Sequence, residues 1–194
     1  MVIHRVCVYC ASSSQCDQFY FDETKRLGRT LAQNNITVIF GGGSAGLMGA
    51  LADSALAEGG NVIGVLPHFM KEVEWGHNGL TELHLTDDMH QRKRFMIEKS
   101  QALIALPGGS GTLEELFEAI TWKRLGLHTH PIIIVNWREF FDPAIALLER
   151  CITERFMLPK HRQMWTVVSS VAEVIEALRN PVPWEKDAIR EARL

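Results

Sequence analysis

A glycine-rich segment in the middle of the chain has the composition of an anion-binding loop. Pro107–Thr112 (PGGSGT) lies between an apolar run and an amphipathic one, so it is predicted to join a strand to a helix. Free N–H groups and the positive dipole end at a helix N-terminus attract phosphate, and glycines leave room for it. No lysine follows the last glycine, as it would in a P-loop, so a single phosphate is favoured over a triphosphate. The predicted phosphate-binding residues are Gly108, Gly109, Ser110, Gly111 and Thr112.

Glu115 follows this loop closely, and two interpretations of it are open. Thr112-x-x-Glu115 has the pattern of a capping box, in which the glutamate would bond the amide at the start of the helix. The predicted apolar stripe of the same helix consists of Leu113, Leu116, Phe117 and Ile120. Glu115 therefore falls on a different face, beside the anion loop, where a carboxylate can act on a bound sugar phosphate. The local pattern does not choose between the two.

Arg92 is a cation on an otherwise largely apolar helix face. In the helix predicted after Asp88, one face carries Met89, Arg92, Phe95, Met96 and Lys99. An arginine in this position needs an anionic partner or a cleft to point into. The alternative is a long side chain that reaches back to solvent at the start of the helix.

A second glycine-rich segment, Gly41–Gly49, also follows a predicted strand and opens a helix. Gly41, Gly43 and Gly46 match the dinucleotide-binding fingerprint, which expects an acid at the end of the next strand. That strand ends without an acid, and the motif follows the second strand rather than the first. A dinucleotide site is therefore disfavoured. Close packing of helix on strand and backbone contact with a smaller phosphate ligand both remain, and we favour the second.

Three serines, Ser12–Ser14, follow the first predicted strand and offer hydroxyl and amide donors. They can cap the helix that begins near Phe19, or they can contact a ligand. Both interpretations stay open, and Ser13 is a candidate ligand contact.

The elements that must position these residues follow from alternating apolar and amphipathic runs. Predicted strands are Arg5–Ala11, Thr37–Phe40, Asn61–Leu66, Ala102–Leu106, Pro131–Val135 and, more weakly, Trp165–Val168. Predicted helices span about Phe19–Asn34, Leu47–Glu58, Met89–Ser100, Leu113–Leu127, Pro143–Arg155 and Val171–Leu178. Unbroken Val/Ile/Leu strands indicate a parallel sheet buried on both faces. The prediction is an α/β fold with a single domain over 1–180, a Rossmann-like doubly wound parallel sheet with helices on both faces, and a surface tail over 181–194.

Composition excludes several classes of function. Hydrophobic residues make up 46% and charged residues 22% of the 194, as in a soluble globular domain. A formal net charge of −3 provides no basic field for nucleic acid, and no apolar run reaches the roughly 20 residues of a membrane span. Without a recognisable signal peptide, we expect a cytoplasmic protein that binds neither nucleic acid nor membrane. Cys7 and Cys10 have redox spacing but fall in or beside a predicted strand, so buried free thiols are expected, and no metal-ligand spacing stands out.

Two motifs taken together resemble a known family. Met89-His90-Gln91-Arg92-Lys93 followed by Pro107-Gly108-Gly109-Ser110-Gly111-Thr112-Leu113-Glu114-Glu115 resembles the LONELY GUY (LOG) family of cytokinin riboside 5′-monophosphate phosphoribohydrolases, which often carry a lysine decarboxylase label. The resemblance extends from the Ser12–Ser14 turn to about Phe156. It implies an enzyme that hydrolyses the N-glycosidic bond of an N6-modified AMP, giving the free cytokinin base and ribose 5-phosphate.

The resemblance also assigns roles to residues. It implies that Arg92 and Glu115 are catalytic and that no metal or organic cofactor is needed. Glu115 would stabilise positive charge on the ribose and orient or deprotonate water, while Arg92 would position it. The predicted substrate- and phosphate-binding residues are Ser13, Gly43, Met89, Lys93, Gly108, Gly109, Ser110, Gly111 and Thr112.

Two alternative functions stay open. One alternative is a nucleosidase of broader specificity that acts on AMP and other purine monophosphates; another is a non-catalytic nucleotide or cofactor carrier with the same anion loop.

Residues 68–81 are expected to shape the base pocket, where Met70, Trp75 and Leu80 either contact a prenyl group or cover the core. Trp122 and Leu125 lie off the main apolar stripe of their helix, which suggests a second buried contact. The resemblance implies that this surface is the subunit interface, so at least a homodimer is expected.

Overall fold

The computed structural model describes residues 2–72 and 76–185 and confirms the predicted α/β architecture. The strands are β1 (Arg5–Tyr9), β2 (Thr37–Phe40), β3 (Val62–Pro67), β4 (Glu82–Thr86), β5 (Ala102–Ala105), β6 (Ile132–Val135) and β7 (Trp165–Val168). The helices are α1 (Gln18–Gln33), α2 (Gly46–Ala57), α3 (His68–Glu72), α4 (Met89–Lys99), α5 (Ser110–Arg124), α6 (Asp142–Thr153) and α7 (Val171–Arg179). Short 3-10 helices span Trp137–Glu139 and Pro159–Met164.

Polar residues at the predicted boundaries start three of the helices. The Asp17 carboxylate accepts a hydrogen bond from the Phe19 amide at the start of α1, at 2.9 Å. Asp88 caps α4 through the Gln91 amide at 2.8 Å, and the Ser170 hydroxyl caps α7. These side chains satisfy amides that have no partner inside the helix, so they set where each helix begins.

All seven strands pair in parallel, in the order β4-β3-β2-β1-β5-β6-β7. The chain moves outward from β1 to β4, returns through α4 to place β5 against the other side of β1, and then moves outward again. The direction therefore reverses between β1 and β5. In open α/β sheets, ligands bind at such a reversal, outside the carboxyl ends of the strands.

The sheet is buried between two helical layers. Leu27 of α1, Leu51 of α2 and Val174 of α7 pack with Val6 and Val8 on one face. Met96 of α4 and Leu116 of α5 pack with the other face. The side chains of β1 alternate between the two apolar clusters, which explains why this strand has the continuous apolar sequence of a central strand.

The main departure from the sequence prediction is β4. Its sequence Glu-Leu-His-Leu-Thr alternates polar and apolar residues, and only Thr86 is fully buried. The strand lies at the edge of the sheet, where one face is less covered, so it lacks the continuous apolar run that marked the other six. The five-residue helix α3 was also not predicted, since it is too short to show a period.

The cysteines and the C-terminal segment complete the description. Cys7 and Cys10 are buried free thiols, as expected, and burial raises the pKa of both well above the usual range. Of the predicted surface tail, residues 181–185 are described, and within them Trp184 is half-buried and donates from Nε1 to the Lys123 carbonyl at 2.8 Å. Positions 186–194 of that tail lie outside the described residues. Across residues 2–72 and 76–185, no helix has the length and apolarity to cross a membrane.

Candidate active site

A cavity of about 300 Å³ opens at the point where the strand order reverses. It lies at the carboxyl ends of β1, β2, β3 and β5 and is closed on one side by the first turns of α4 and α5. Its lining consists of Val8, Tyr9, Cys10, Ala11, Ser12, Gly41, Gly43, Met48, Leu66, Met70, Met89, Arg92, Gly109, Ser110, Gly111, Thr112, Glu114 and Glu115. The size suits a nucleotide-sized ligand.

The N-terminus of α5 opens into this cavity. The helix begins at Ser110 with Gly109 as its N-cap, and the first intrahelical hydrogen bond runs from the Leu113 amide to the Gly109 carbonyl at 3.1 Å. The amides of Ser110, Gly111 and Thr112 precede that bond and are available to an anion. The capping-box interpretation is wrong, because Thr112 lies inside the first turn and the N-cap Gly109 has no side chain to bond.

The three glycines of this loop have two different physical roles. A Cβ at Gly108 would lie 2.2 Å from the Thr112 hydroxyl oxygen, so glycine is needed there for Thr112 to pack against the loop. A Cβ at Gly109 or at Gly111 would meet nothing within 4 Å. Protein packing does not demand glycine at those two positions, both of which line the cavity. The space they leave is space for a ligand.

Arg92 lies in the cavity wall, held from three sides. Its Nε donates to the Val65 carbonyl at 3.0 Å, and its Nη1 lies 3.3 Å from Oε1 of Glu115. Gly41 fits beneath the guanidinium, since a Cβ there would lie 2.1 Å from Nη2. The residue is 7% exposed. The alternative of a side chain reaching solvent is therefore wrong, and Arg92 has the anionic partner and the cleft that its position required.

Glu115 is a buried carboxylate in contact with that cation. It is 8% exposed, and burial raises its pKa to about 7, with Glu114 and Glu118 adding to the rise and Arg92 opposing it. Near neutral pH the group is thus divided between its acid and its base form. A carboxyl group with this pKa can exchange a proton during a reaction, which a fully solvated glutamate does poorly at the same pH.

The second glycine-rich segment lines the cavity at one end and packs on a neighbouring turn at the other. Gly41 and Gly43 line the cavity. Gly46 has a positive φ of 63°, and a Cβ there would lie 2.6 Å from the carbonyl oxygens of Ser12 and Ser13. Its absence of a side chain lets the turn after β1 pack directly on the start of α2. The segment therefore builds the cavity wall at its first residues and supports the neighbouring turn further on.

The structure brings most of the predicted site residues together. Eight line the cavity: Gly43, Met89, Arg92, Gly109, Ser110, Gly111, Thr112 and Glu115. Three of the predicted residues are outside the lining. Ser13 accepts from the Gln15 amide at 3.2 Å, and its neighbour Ser12 faces the cavity instead. Gly108 packs under Thr112, and the buried Lys93 forms ion pairs with Glu114 and Glu118.

Several lining residues were not singled out by the sequence. Tyr9 and Cys10 end β1 and looked like ordinary core residues, and Leu66 ends β3 in the same way. Met48 lies one turn into α2, on the side that faces the cavity. For Tyr9, Cys10 and Leu66 the signal is position, because each lies at or next to the carboxyl end of a strand that borders the cavity. Met70 lines the cavity as well, Leu80 packs near Gly64 of β3, and Trp75 lies outside the described residues.

The site does not match the requirements of pyridoxal chemistry. A pyridoxal enzyme needs a lysine that forms a Schiff base with the cofactor. Among the described residues that line the cavity there is no lysine, and the nearby Lys93 is engaged by two carboxylates. Within 2–72 and 76–185, no group of three or more His, Cys, Asp or Glu side chains is arranged to hold a metal ion.

Fold and site together define a Rossmann-like α/β protein with an open helix N-terminus beside a buried Arg–Glu pair. The profile of a family described as "possible lysine decarboxylase" matches residues 48–178. A cytokinin riboside 5′-monophosphate phosphoribohydrolase of Rhodococcoides fascians is 41% identical over 91% of this chain and 89% of its own length. One from Arabidopsis thaliana is 38% identical over 92% of this chain and 84% of its own. The chain belongs to the LONELY GUY family of cytokinin riboside 5′-monophosphate phosphoribohydrolases.

Solved structures of other proteins share the fold. A molybdenum cofactor binding protein from Rippkaea orientalis superposes with a TM-score of 0.71, at 22% identity, over 93% of this chain and 98% of its own. A molybdenum cofactor carrier protein from Chlamydomonas reinhardtii gives 0.68 at 20% identity, over 91% of this chain and 96% of its own. At such identities the likeness shows the fold alone.

Proposed function

We propose that this protein hydrolyses the N-glycosidic bond of an N6-modified adenosine 5′-monophosphate, releasing the free base and ribose 5-phosphate. The observation that carries the proposal is the Arg92–Glu115 pair, which lies in one cavity with the open N-terminus of α5. A bound phosphate at that N-terminus would fix the sugar, and the carboxylate lies within a helical turn of it. The names of the relatives support the same reaction.

The chemistry follows from the charges at the site. Water adds through its oxygen to C1′ of the ribose, the C1′–N bond breaks, and the proton of the water ends on the departing base. Positive charge develops on the ribose as the bond breaks, and the ionised Glu115 stabilises it. Glu115 also orients the water and accepts its proton, a transfer that a carboxyl group with a pKa near 7 can complete and reverse.

Arg92 has a positioning contribution in this mechanism as well as an electrostatic one. Its guanidinium is fixed by the Val65 carbonyl and by close contact with Gly41, so it holds Glu115 in one orientation. A fixed pair costs little reorganisation when charge develops in the transition state. The phosphate-binding amides supply the other fixed point for the sugar, at the N-terminus of α5.

The apolar part of the cavity supports a substituted base. Met48, Leu66, Met70 and Met89 line it, and three of these are flexible thioethers that adapt to an irregular apolar group. A prenyl-type substituent on N6 would bury its surface against them. Plain AMP would leave this surface uncovered, so we expect it to be the poorer substrate.

We further propose that two copies of the chain pair through the outer surface of α4 and α5. A groove there is lined by Arg94, Ile97, Glu98, Trp122, Leu127, His128, Thr129 and His130. Leu127 is 63% exposed, which is unusual for a large apolar side chain. Arg94 and Glu98 lie one turn apart, an arrangement that can pair with itself about a two-fold axis. The cytoplasmic location stays a prediction from the sequence.

The test is release of free base from isopentenyladenosine 5′-monophosphate, with AMP and the corresponding riboside as parallel substrates. We expect cleavage of the prenylated monophosphate, slower cleavage of AMP and almost none of the riboside, which lacks the phosphate. Comparable rates on AMP would instead favour the broader purine-monophosphate nucleosidase. Failure to cleave any of the three, with tight binding of the monophosphate and an intact fold, would contradict the hydrolase and favour a carrier.

A further inference from the structure

We propose that Lys93 is a positioning residue of this active site: it bridges Glu114 and Glu118 and thereby keeps Glu115 paired with Arg92 in an electrostatically balanced environment. The inference rests on the proposed hydrolysis and deepens it. It differs from the assignment suggested by the sequence motif, in which Lys93 would contact the substrate.

The ammonium group of Lys93 is engaged by two carboxylates, and the residue does not line the cavity. Its side chain is 6% exposed, and its Nζ forms a short ion pair with Oε1 of Glu114 and another, at 3.1 Å, with Oε2 of Glu118. Burial lowers its pKa, but the hydrogen bonds and charges of the two glutamates outweigh burial and raise it overall. The ammonium group therefore stays charged and stays engaged by carboxylates.

This bridge ties α4 to α5 beside the catalytic pair. Lys93 and Arg92 are adjacent on α4, and their partners Glu114, Glu118 and Glu115 lie within little more than one turn of α5. Three ion pairs thus join the same two helices side by side. Their spacing defines the position of the Glu115 carboxylate relative to the cavity.

The charges that face Glu115 show what the bridge does. From α4 it meets Arg92 and Lys93, which lower its pKa; from α5 it meets Glu114 and Glu118, which raise it. From β1 it meets two thiols and a phenol, those of Cys7, Cys10 and Tyr9, and burial keeps all three in their neutral forms at neutral pH. Lys93 is therefore the cation that offsets the two neighbouring carboxylates.

Removing this cation has a defined electrostatic consequence. Two uncompensated carboxylates beside Glu115 disfavour its ionised form. The pH at which the enzyme gains activity should then move upward. A ligand of the phosphate would behave differently, since its loss weakens the preference for the monophosphate over the riboside without moving the pH profile.

The experiment compares kcat/KM against pH for the wild type, Lys93→Met, the double variant Lys93→Met/Glu118→Gln and the control Lys99→Met. Lys99 is an exposed lysine in the last turn of the same helix, beside the Phe95 ring. The substrate phosphate titrates near pH 6 in every variant alike, so differences between variants belong to the protein. Carbon-13 NMR titration of the Glu115 carboxyl group gives a second measurement that does not depend on turnover.

We expect Lys93→Met to lose roughly tenfold in kcat/KM at pH 6.5, the equivalent of about one pH unit, and much less at pH 8.5. The double variant should recover most of the loss, because it removes one of the two carboxylates that Lys93→Met leaves uncompensated. The preference for monophosphate over riboside should be unchanged, and Lys99→Met should match the wild type.

Two results would overturn the inference. One is a Lys93→Met enzyme whose pH profile and Glu115 titration match the wild type; the other is a selective loss of the preference for the monophosphate. An inactive wild type with the expected NMR shift in Lys93→Met would instead count against the proposed hydrolysis and leave the bridge in place. Thermal unfolding of each variant shows whether the fold is intact.

Discussion

At the scale of single residues, the cavity contains two side chains that are costly to bury separately. An arginine and a glutamate removed from water each lose several kcal/mol of hydration, and the loss is offset only when they pair and find further hydrogen bonds. Arg92 has such a bond to the Val65 carbonyl, whereas Glu115 retains an elevated pKa of about 7. Because its pKa is raised to about 7, the carboxyl group of Glu115 can change its protonation state near neutral pH.

Activity should depend on the ionisation of Glu115. The proposed mechanism needs the carboxylate, and the pKa is raised above that of an ordinary glutamate, so kcat/KM should rise with pH through about 7 and fall below it. Replacing Glu115 with Gln keeps the shape but removes both the charge and the base. We expect turnover to drop roughly a thousandfold, measured as release of base from the prenylated monophosphate.

The matched comparison for this substitution is Glu118→Gln, one turn further along α5. It removes a carboxylate of the same type that does not line the cavity, and turnover should change by no more than a few fold. Equal losses in the two variants would refute a specific role for Glu115. A retained rise in activity around pH 7 in the Glu115→Gln enzyme would do the same.

At the scale of elements, the glycines of the two strand-to-helix turns differ in what occupies the space beside them. Those of the first turn make room for protein atoms, as Gly41 does for the Arg92 guanidinium and Gly46 for the turn after β1. Gly109 and Gly111 of the second turn face open space in the cavity. The same residue type therefore marks close packing at Gly41, Gly46 and Gly108 and open cavity wall at Gly109 and Gly111.

Substituting Gly41 with Ala should impair catalysis by displacing Arg92. The added methyl group would lie 2.1 Å from Nη2, and the guanidinium would have to leave the Val65 carbonyl and Glu115. We expect a loss of about a hundredfold in kcat and a decrease of about 1–2 kcal/mol in the free energy of unfolding by urea. A variant with wild-type kcat would show that the position of Arg92 is not needed.

Substituting Gly109 with Ala should separate binding from stability. The free protein has room for the methyl group, so the free energy of unfolding should stay within about 0.5 kcal/mol of the wild-type value. The group would occupy the space where we place the phosphate, and the dissociation constant for AMP should rise about tenfold or more. Calorimetric titration measures this, and unchanged affinity would exclude phosphate binding at this helix N-terminus.

At the scale of the whole molecule, the groove proposed as the dimer interface belongs to the same two helices, α4 and α5, that carry Arg92 and Glu115. We predict that Leu127→Glu converts a dimer to a monomer, because it introduces a charge into the apolar part of the proposed interface. Sedimentation at several protein concentrations measures the change. Leu147→Glu is the control, since Leu147 is 57% exposed on α6 and does not line the groove. Dimers that persist in the first variant would place the interface elsewhere.

The architecture could be predicted from the sequence because each central strand has a continuous apolar run and the helices α1, α6 and α7 have an amphipathic period. The edge strand β4 was not predicted, because its side chains are only partly buried and its sequence alternates polar and apolar residues. The loop at the start of α5 was also predictable, because anion binding by a helix N-terminus is a local property of backbone amides and glycines. In these cases the determining interactions lie within a few residues of one another along the chain.

The amino-acid sequence by itself determined the alternation of strands and helices, the glycine-rich turn that opens α5, and the choice of Arg92 and Glu115 as candidate site residues. Only the tertiary structure decided that these two pair with each other, that Ser12 rather than Ser13 faces the cavity, and that Lys93 is held by Glu114 and Glu118. The reason is physical. Side chains one position apart on a helix point about 100° apart, and which of them meets a neighbour depends on how α4 and α5 pack on the sheet.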